Sequence, residues 1–234
     1  MKIRIVRNIA TALFIFSVSL TLVTGTIQLE INSLRLYEYG FDKYAVNDNT
    51  GIDRQQLTEV ARTLVDYFNY RVETPQLMVQ VRNGEEFLLY QENNQNRELT
   101  HLADVRRLFL LNHLILLVSL AYLAGYTLIF LLWIKEHWWN LVKKVKYGCV
   151  LTLSVMAIVG LIAVVVDFEQ LFLRFHHLVF SNPWWVSTGY LPRLFPEYFW
   201  EDVAFLGAGS IVIEALILGS LAWVIPTLYF RKNR

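Results

Sequence analysis

The sequence predicts an α-helical membrane protein, a four-helix transmembrane bundle with a small α+β extracytoplasmic cap and an interfacial aromatic loop. Three observations predict it. Hydrophobic residues make up 55% of the chain and the mean hydropathy is +0.39, too apolar for an ordinary soluble domain. Four stretches, 9–27, 108–134, 148–166 and 203–230, match the roughly 20 helical residues that a hydrocarbon core requires. Two of the segments between them, 28–107 and 167–202, are too long and too patterned to be simple connectors.

Lys2, Arg4 and Arg7 precede the first apolar run as they would in a secretory signal. The run exceeds the roughly 7–15 residues of a signal core and no small-x-small cleavage site follows it, so it is read as a retained anchor. Cytoplasmic segments carry the excess of Lys and Arg. That rule puts both termini inside, because Lys2, Arg4 and Arg7 lie before the first span and Arg231, Lys232 and Arg234 follow the fourth. Lys135, Lys143, Lys144 and Lys146 likewise mark the connection between the second and third spans as cytoplasmic. The expected organisation is a cytoplasmic N-terminus and first span over 1–27, an extracytoplasmic cap over 28–107 and the second span over 108–134. A cytoplasmic loop over 135–147, the third span over 148–166, the outer interfacial loop over 167–202 and the fourth span with its cytoplasmic tail over 203–234 complete it.

Within the cap, Asp53 and Gln56 suit a capping box, and Leu57, Val60, Ala61, Leu64, Val65 and Phe68 recur at helical spacing. An amphipathic helix from Asp53 to about Arg71 follows, closed off by Pro75. Leu77, Val79 and Val81 then alternate with Met78, Gln80 and Arg82, and Asn83-Gly84 separates them from the apolar run 87–90, a β-hairpin signal. From about Glu98 a helix should run without Gly or Pro into the second span, standing His101 about two turns, roughly 10 Å, above Leu108. In the outer loop, 171–180 is too apolar for water and too short to cross, so it should lie in the interface or dip into the bundle. Trp184, Trp185, Tyr190, Tyr198, Phe199 and Trp200 form an aromatic belt beside it.

The formal net charge of +1, with basic residues distributed by topology, gives no electrostatic case for a nucleic-acid partner. Cys149 is the chain's one cysteine, which excludes an intrachain disulfide and a Cys-based metal site and reads as a small buried apolar residue. No repeat or low-complexity tract is visible.

Two histidines, His101 and His176, fall by topology at the outer lipid boundary. An imidazole with a pKa near ~6.5 takes up and returns a proton near neutral pH, as acyl transfer needs. Glu98, His101 and Asp104 stand at i−3, i and i+3 on one helix face, where a carboxylate could orient the ring; a surface histidine among charges has the same spacing. His176 sits among apolar residues, so it is either a hydrogen-bonded interface residue or part of a site, and Asn182 offers an amide donor suited to an oxyanion. His177 would point about 100° away and cannot easily serve the same centre. Arg106 and Arg107, at the mouth of the second span, either snorkel to headgroups or hold a lipid phosphate.

His101, Asp104 and His176 could supply three metal ligands, but no tight ligand spacing supports a metal and none is expected. There is no Gly-x-Ser-x-Gly elbow, and Ser210 lies in a small-residue run, 207–210, suited to close helix packing. His113 and His137 are assigned to no site. Glu214, near the middle of the fourth span, is costly there; lacking acidic companions for a proton path, it is read as structurally paired.

The residues resemble the lipoprotein intramolecular transacylase (Lit) family of small bacterial membrane proteins. The resemblance covers most of the chain. It rests on Glu98, His101, Asp104 and Val105 in a Glu-x-x-His-x-x-Asp-Val segment, and on Phe175, His176, Phe180, Asn182 and Trp185 in a Phe-His-x-x-x-Phe-x-Asn-x-x-Trp segment. The stretch 194–199, Leu-Phe-Pro-Glu-x-Phe, is also similar; Pro183-Trp184 and 186–189 depart from the family pattern. The resemblance implies an acyltransferase of the bacterial cytoplasmic membrane, with its active site at the outer face. It would move the sn-2 acyl chain of diacylglyceryl-cysteine in a lipoprotein to that cysteine's α-amino group, giving the lyso form. His101 and His176 match the family's two signature histidines. The diacylglyceryl lipoprotein and membrane lipids are then the expected partners, and no cofactor is expected.

The chemistry requires a shuttle. An α-amine, pKa ~8, must be neutral to attack, and the tetrahedral intermediate expels amine before alkoxide unless the alkoxide oxygen is protonated. The preferred assignment has His101 carry the proton from the amine to the glycerol oxygen, oriented by Glu98 or Asp104, while His176 polarises the carbonyl or stabilises its oxyanion, with Asn182 as a second donor; the reverse assignment stands close behind it. The competing readings are an acyltransferase or esterase acting on another membrane lipid, and a non-enzymatic membrane scaffold.

Overall fold

The computed structural model describes residues 2–75, 77–81, 84–89, 95–134, 137–186 and 189–232. Arg82, Asn83 and Tyr90 of the expected hairpin, together with Lys135, Ser187, Thr188 and Arg234, lie outside the described residues. In chain order the elements are α1 (Lys2–Ile31), α2 (Leu34–Lys43), α3 (Val46–Thr50), α4 (Arg54–Phe68), β1 (Leu77–Gln80), β2 (Glu86–Leu89) and α5 (Gln95–Ile129). After a π-helical turn, Phe130–Ile134, come α6 (Trp138–Val165), α7 (Phe168–Val179), α8 (Leu191–Leu194) and α9 (Glu197–Lys232). α1, α5, α6 and α9 are each long and apolar enough to cross a membrane, matching the four expected spans.

The chain divides into two compact units. One comprises Met1–Ile27, Asn112–Val165 and Leu206–Arg234. Its helices approach closely where side chains are small: a Cβ on Gly148 of α6 would lie 2.5 Å from the Val18 Cβ of α1. Several polar side chains here pair off, as a medium without water favours. Asn112 Nδ2 donates to the Thr24 carbonyl at 3.1 Å, and the Tyr122 hydroxyl donates to Ala10 at 3.0 Å. Glu214 accepts from the Thr26 hydroxyl at 3.1 Å, so the carboxylate that is so costly at mid-span has a partner.

The other unit comprises Gln28–Leu111 and Val166–Phe205. Its core forms around α4, whose Leu57, Val60, Ala61 and Leu64 are almost fully buried, and includes Tyr37 and Phe41 of α2. Phe195 packs on Tyr37 and Phe41 at ring separations of 5.9 and 5.8 Å. β1 and β2 pair antiparallel with Leu77 opposite Leu89 and Gln80 opposite Glu86.

Several boundaries differ from the sequence reading. Asp53 caps α4 by accepting from Gln55 N at 2.9 Å, but Gln56 does not return the bond; its Oε1 accepts from Gln80 N of β1 at 3.0 Å. α4 stops at Phe68, short of Arg71, where the Asn69 side chain donates to the Val65 carbonyl at 2.7 Å and Tyr70 turns left-handed at φ 61°. α5 starts at Gln95, three residues before Glu98. α6 starts at Trp138, so most of the segment read as a loop over 135–147 is helical, and α9 is already helical from Glu197, ahead of residue 203.

Candidate active site

His101 and His176, distant in sequence, meet. His101 is on α5 and His176 is in the last turn of α7; they are 9% and 7% exposed, and their ring centroids are 5.8 Å apart. His101 stands ahead of the run free of Asp, Glu, Lys and Arg that begins at Leu108. Aromatic rings wall the pair. Phe172 lies 4.2 Å, Trp185 4.9 Å and Phe180 5.4 Å from the His176 ring, and Phe180 is edge-on to His101 at 4.9 Å. His177, by contrast, is exposed and meets the Trp185 ring at 5.3 Å.

The two imidazoles have different hydrogen-bonding states. Nδ1 of His176 lies 2.7 Å from the Phe172 carbonyl one turn back on α7. A carbonyl only accepts, so Nδ1 holds the hydrogen, and the neutral ring keeps its lone pair on Nε2. Nδ1 of His101 is buried with no partner among the described residues. Leaving such a group unsatisfied costs about 1–3 kcal/mol, which a substrate group bonded to it would recover.

Burial pushes the His101 pKa down to about 4, helped by the charge of His176 and opposed by that of Asp104. Burial also lowers His176, with the Phe172 carbonyl opposing and His177 contributing. Both rings are therefore neutral at neutral pH.

The carboxylates on either side of His101 each hold another segment. Glu98, 3% exposed, accepts from the Leu191 backbone N–H at 3.1 Å. Gly189 packs against that carboxylate so tightly that a Cβ would fall 2.6 Å from Glu98 Cδ. Asp104 Oδ2 accepts from Asn182 Nδ2 at 2.8 Å, and Asn182 Oδ1 accepts from Trp184 N at 3.0 Å. None of these bonds goes to an imidazole. Asn182, expected as an oxyanion donor, thus has one amide hydrogen committed to Asp104.

The two arginines also part company. Arg106 stacks on Tyr70 at 3.7 Å and Tyr67 at 4.4 Å and donates to the carbonyls of Val72 at 3.0 Å and Glu73 at 3.3 Å. Arg107 is exposed and contacts Asp104 Oδ1 at 3.4 Å. Arg97, which sequence reasoning passed over, sits over the Trp184 ring at 5.0 Å. Among the described residues no three His, Cys, Asp or Glu side chains converge as metal ligands. Sequence reasoning also missed Phe172, which offers His176 both its ring and a backbone carbonyl, the second independent of residue type.

Comparison with known proteins gives a consistent picture. The family model described as "Lipoprotein intramolecular transacylase Lit" matches residues 12–200. No curated protein matches the chain. Among solved structures, the membrane-integral lipoprotein intramolecular transacylase Lit from Bacillus cereus is similar at a TM-score of 0.71 and 18% identity, covering 97% of each chain. A histidine-to-arginine variant of that protein gives a TM-score of 0.72 at 18% identity, over 97% of this chain and 94% of that one. A histidine-to-alanine variant gives 0.68 at 15%, over 95% of each. With four helices able to cross a bilayer and membrane-integral structural neighbours, the molecule is a multi-pass membrane protein. The family match spans most of the sequence, and the chain belongs to the lipoprotein intramolecular transacylase (Lit) family of acyltransferases.

Proposed function

We propose that this protein moves the sn-2 acyl chain of a diacylglyceryl-cysteine lipoprotein to the cysteine's own α-amino group, leaving the lyso form. The observation that carries the reading is the close pair of buried imidazoles, their ring centroids 5.8 Å apart, one with its tautomer fixed. Residues 28–107 and 167–202 are extracytoplasmic in this account, both termini are cytoplasmic, and the substrate reaches the site from the outer leaflet. Trp184, Trp185 and their aromatic neighbours sit at headgroup depth, where Arg107 meets lipid phosphates.

The α-amine attacks the ester carbonyl carbon, forming the C–N bond. Nε2 of His176 accepts a proton from that nitrogen, and the same Nε2 returns it to the glycerol oxygen as the C–O bond breaks, giving an amide and a free hydroxyl. His101 donates its Nδ1 hydrogen to the carbonyl oxygen as negative charge develops there. His176 is unsuited to that second task, since its Nδ1 hydrogen is committed to Phe172 and its Nε2 has none to give. This reverses the assignment preferred from the sequence and favours His176 as shuttle and His101 as carbonyl donor. The substrate supplies both nucleophile and ester, so no covalent enzyme intermediate is required.

The test is product analysis with purified protein and a synthetic diacylglyceryl lipopeptide. Base-stable amide-linked acyl chain supports the reading; free fatty acid identifies an esterase and contradicts it. Blocking the α-amine by acetylation should abolish turnover.

The pH dependence follows from the lowered histidine values. A lowered pKa keeps each ring a free base down through its ordinary value near ~6.5, so neither should add an inflection there. The kcat/KM for transfer should instead rise with pH to a plateau set by the substrate amine near ~8. Fold stability carries the same sign: full above about 6.5, and lost as pH falls toward about 4, where the folded protein's His101 takes its proton. An enzyme-borne limb near ~6.5 in initial rates would contradict the neutral pair.

A further inference from the structure

We infer that Asp104 is a positioning residue, acting through Asn182 to hold the turn whose flanking rings, Phe180 and Trp185, press on the two imidazoles. The inference rests on the acyl-transfer reading above but goes beyond it, because it removes Asp104 from the role of carboxylate partner to His101. Its basis is the chain of contacts. Asn182 closes the turn on itself by accepting from Trp184 N at 3.0 Å, and ties it to α5 by donating to Asp104 Oδ2 at 2.8 Å. Val186 N donates to Pro183 O at 3.0 Å, completing the turn. Phe180 enters it edge-on to His101 at 4.9 Å, and Trp185 leaves it 4.9 Å from the ring of His176. Both ends of the Asn182 amide are assigned by their partners: a carboxylate only accepts and a backbone N–H only donates.

A clamp and a charge make opposite demands on position 104. A clamp needs an acceptor facing a donor, in either order; a charge acting on His101 needs the carboxylate where it is. Asn182→Asp sets two carboxylates against each other and should cut N-acyl product formation by about 10²-fold, the scale of a misplaced reacting group. Asp104→Asn alone presents its amide oxygen to Asn182 and should stay within about tenfold of wild type. The exchange, Asp104→Asn with Asn182→Asp, restores a donor opposite an acceptor while the new carboxylate still accepts from Trp184 N. It should recover most of the activity lost in Asn182→Asp, with kcat rather than KM carrying the change.

The second readout is the 15N shifts of the two imidazoles in labelled protein, which Asn182→Asp should disturb and the exchange should restore. An exchange variant as inactive as Asn182→Asp, with imidazole shifts equally disturbed, would overturn the clamp. So would an Asn182→Asp protein with wild-type turnover. A wild-type protein that makes no N-acyl product would sink the acyl-transfer reading instead, and the imidazole shifts alone would then judge the clamp.

Discussion

Replacing His176 by alanine is expected to lower N-acyl product formation by about 10³-fold, while the protein still accumulates in the membrane. Proton transfer by a positioned side chain contributes about 10²–10⁴-fold, or roughly 3–5 kcal/mol of barrier. In the proposed mechanism one group serves both proton transfers, from the attacking nitrogen and to the departing oxygen. The Phe172 carbonyl fixes which nitrogen does so, because it occupies Nδ1 and leaves Nε2 the free base. Asparagine at 176 should be no better than alanine, since an amide holds no proton reservoir at neutral pH. A loss of less than about tenfold in single-turnover rates would assign the shuttle elsewhere.

Alanine at His101 is expected to cost about 10²–10³-fold, the range for losing one donor to a developing oxyanion. The conservative variant separates the two histidines. His101→Asn keeps an N–H that can reach the carbonyl oxygen and should retain measurable transfer, whereas His176→Asn should not. Equal residual rates in the two asparagine variants would mean that the roles are not divided as assigned.

Much of the fold was legible because its signals are periodic and local. The spans announced themselves by length and apolarity, α4 by Leu57, Val60, Ala61 and Leu64 on one face, and the hairpin by alternation ahead of Gly84, which adopts φ 85°. α2 was passed over although Tyr37, Gly40 and Phe41 recur at i, i+3 and i+4, because ten residues carry little weight beside the longer patterns around them. Gln56 was read as a local cap, yet it bonds β1, a partner that only the tertiary fold supplies.

The residues of the candidate site are legible in the sequence; their wiring is not. Both histidines were visible from topology and from the motifs around them. Spacing on α5 puts Glu98 and Asp104 beside His101 but cannot say that they bond Leu191 and Asn182. Those partners lie some eighty to ninety residues further along the chain, and no periodicity reports a contact at that range. Arg106 followed the same course. Its place at the mouth of a span suggested lipid, while the structure gives it the rings of Tyr67 and Tyr70 and two backbone carbonyls.

In the proposed reaction this chain makes lyso-form lipoprotein with the paired His101 and His176. Mass spectrometry of the N-terminal lipopeptide from a diacylated lipoprotein tests it most directly. The lipoprotein would be co-expressed with the wild-type protein and with its His101→Ala and His176→Ala variants at matched membrane levels. An N-acyl, S-monoacylglyceryl cysteine fragment is expected with wild type, and unconverted diacylglyceryl cysteine with both variants. An unconverted diacyl fragment with wild type, or full conversion by either variant, would contradict it.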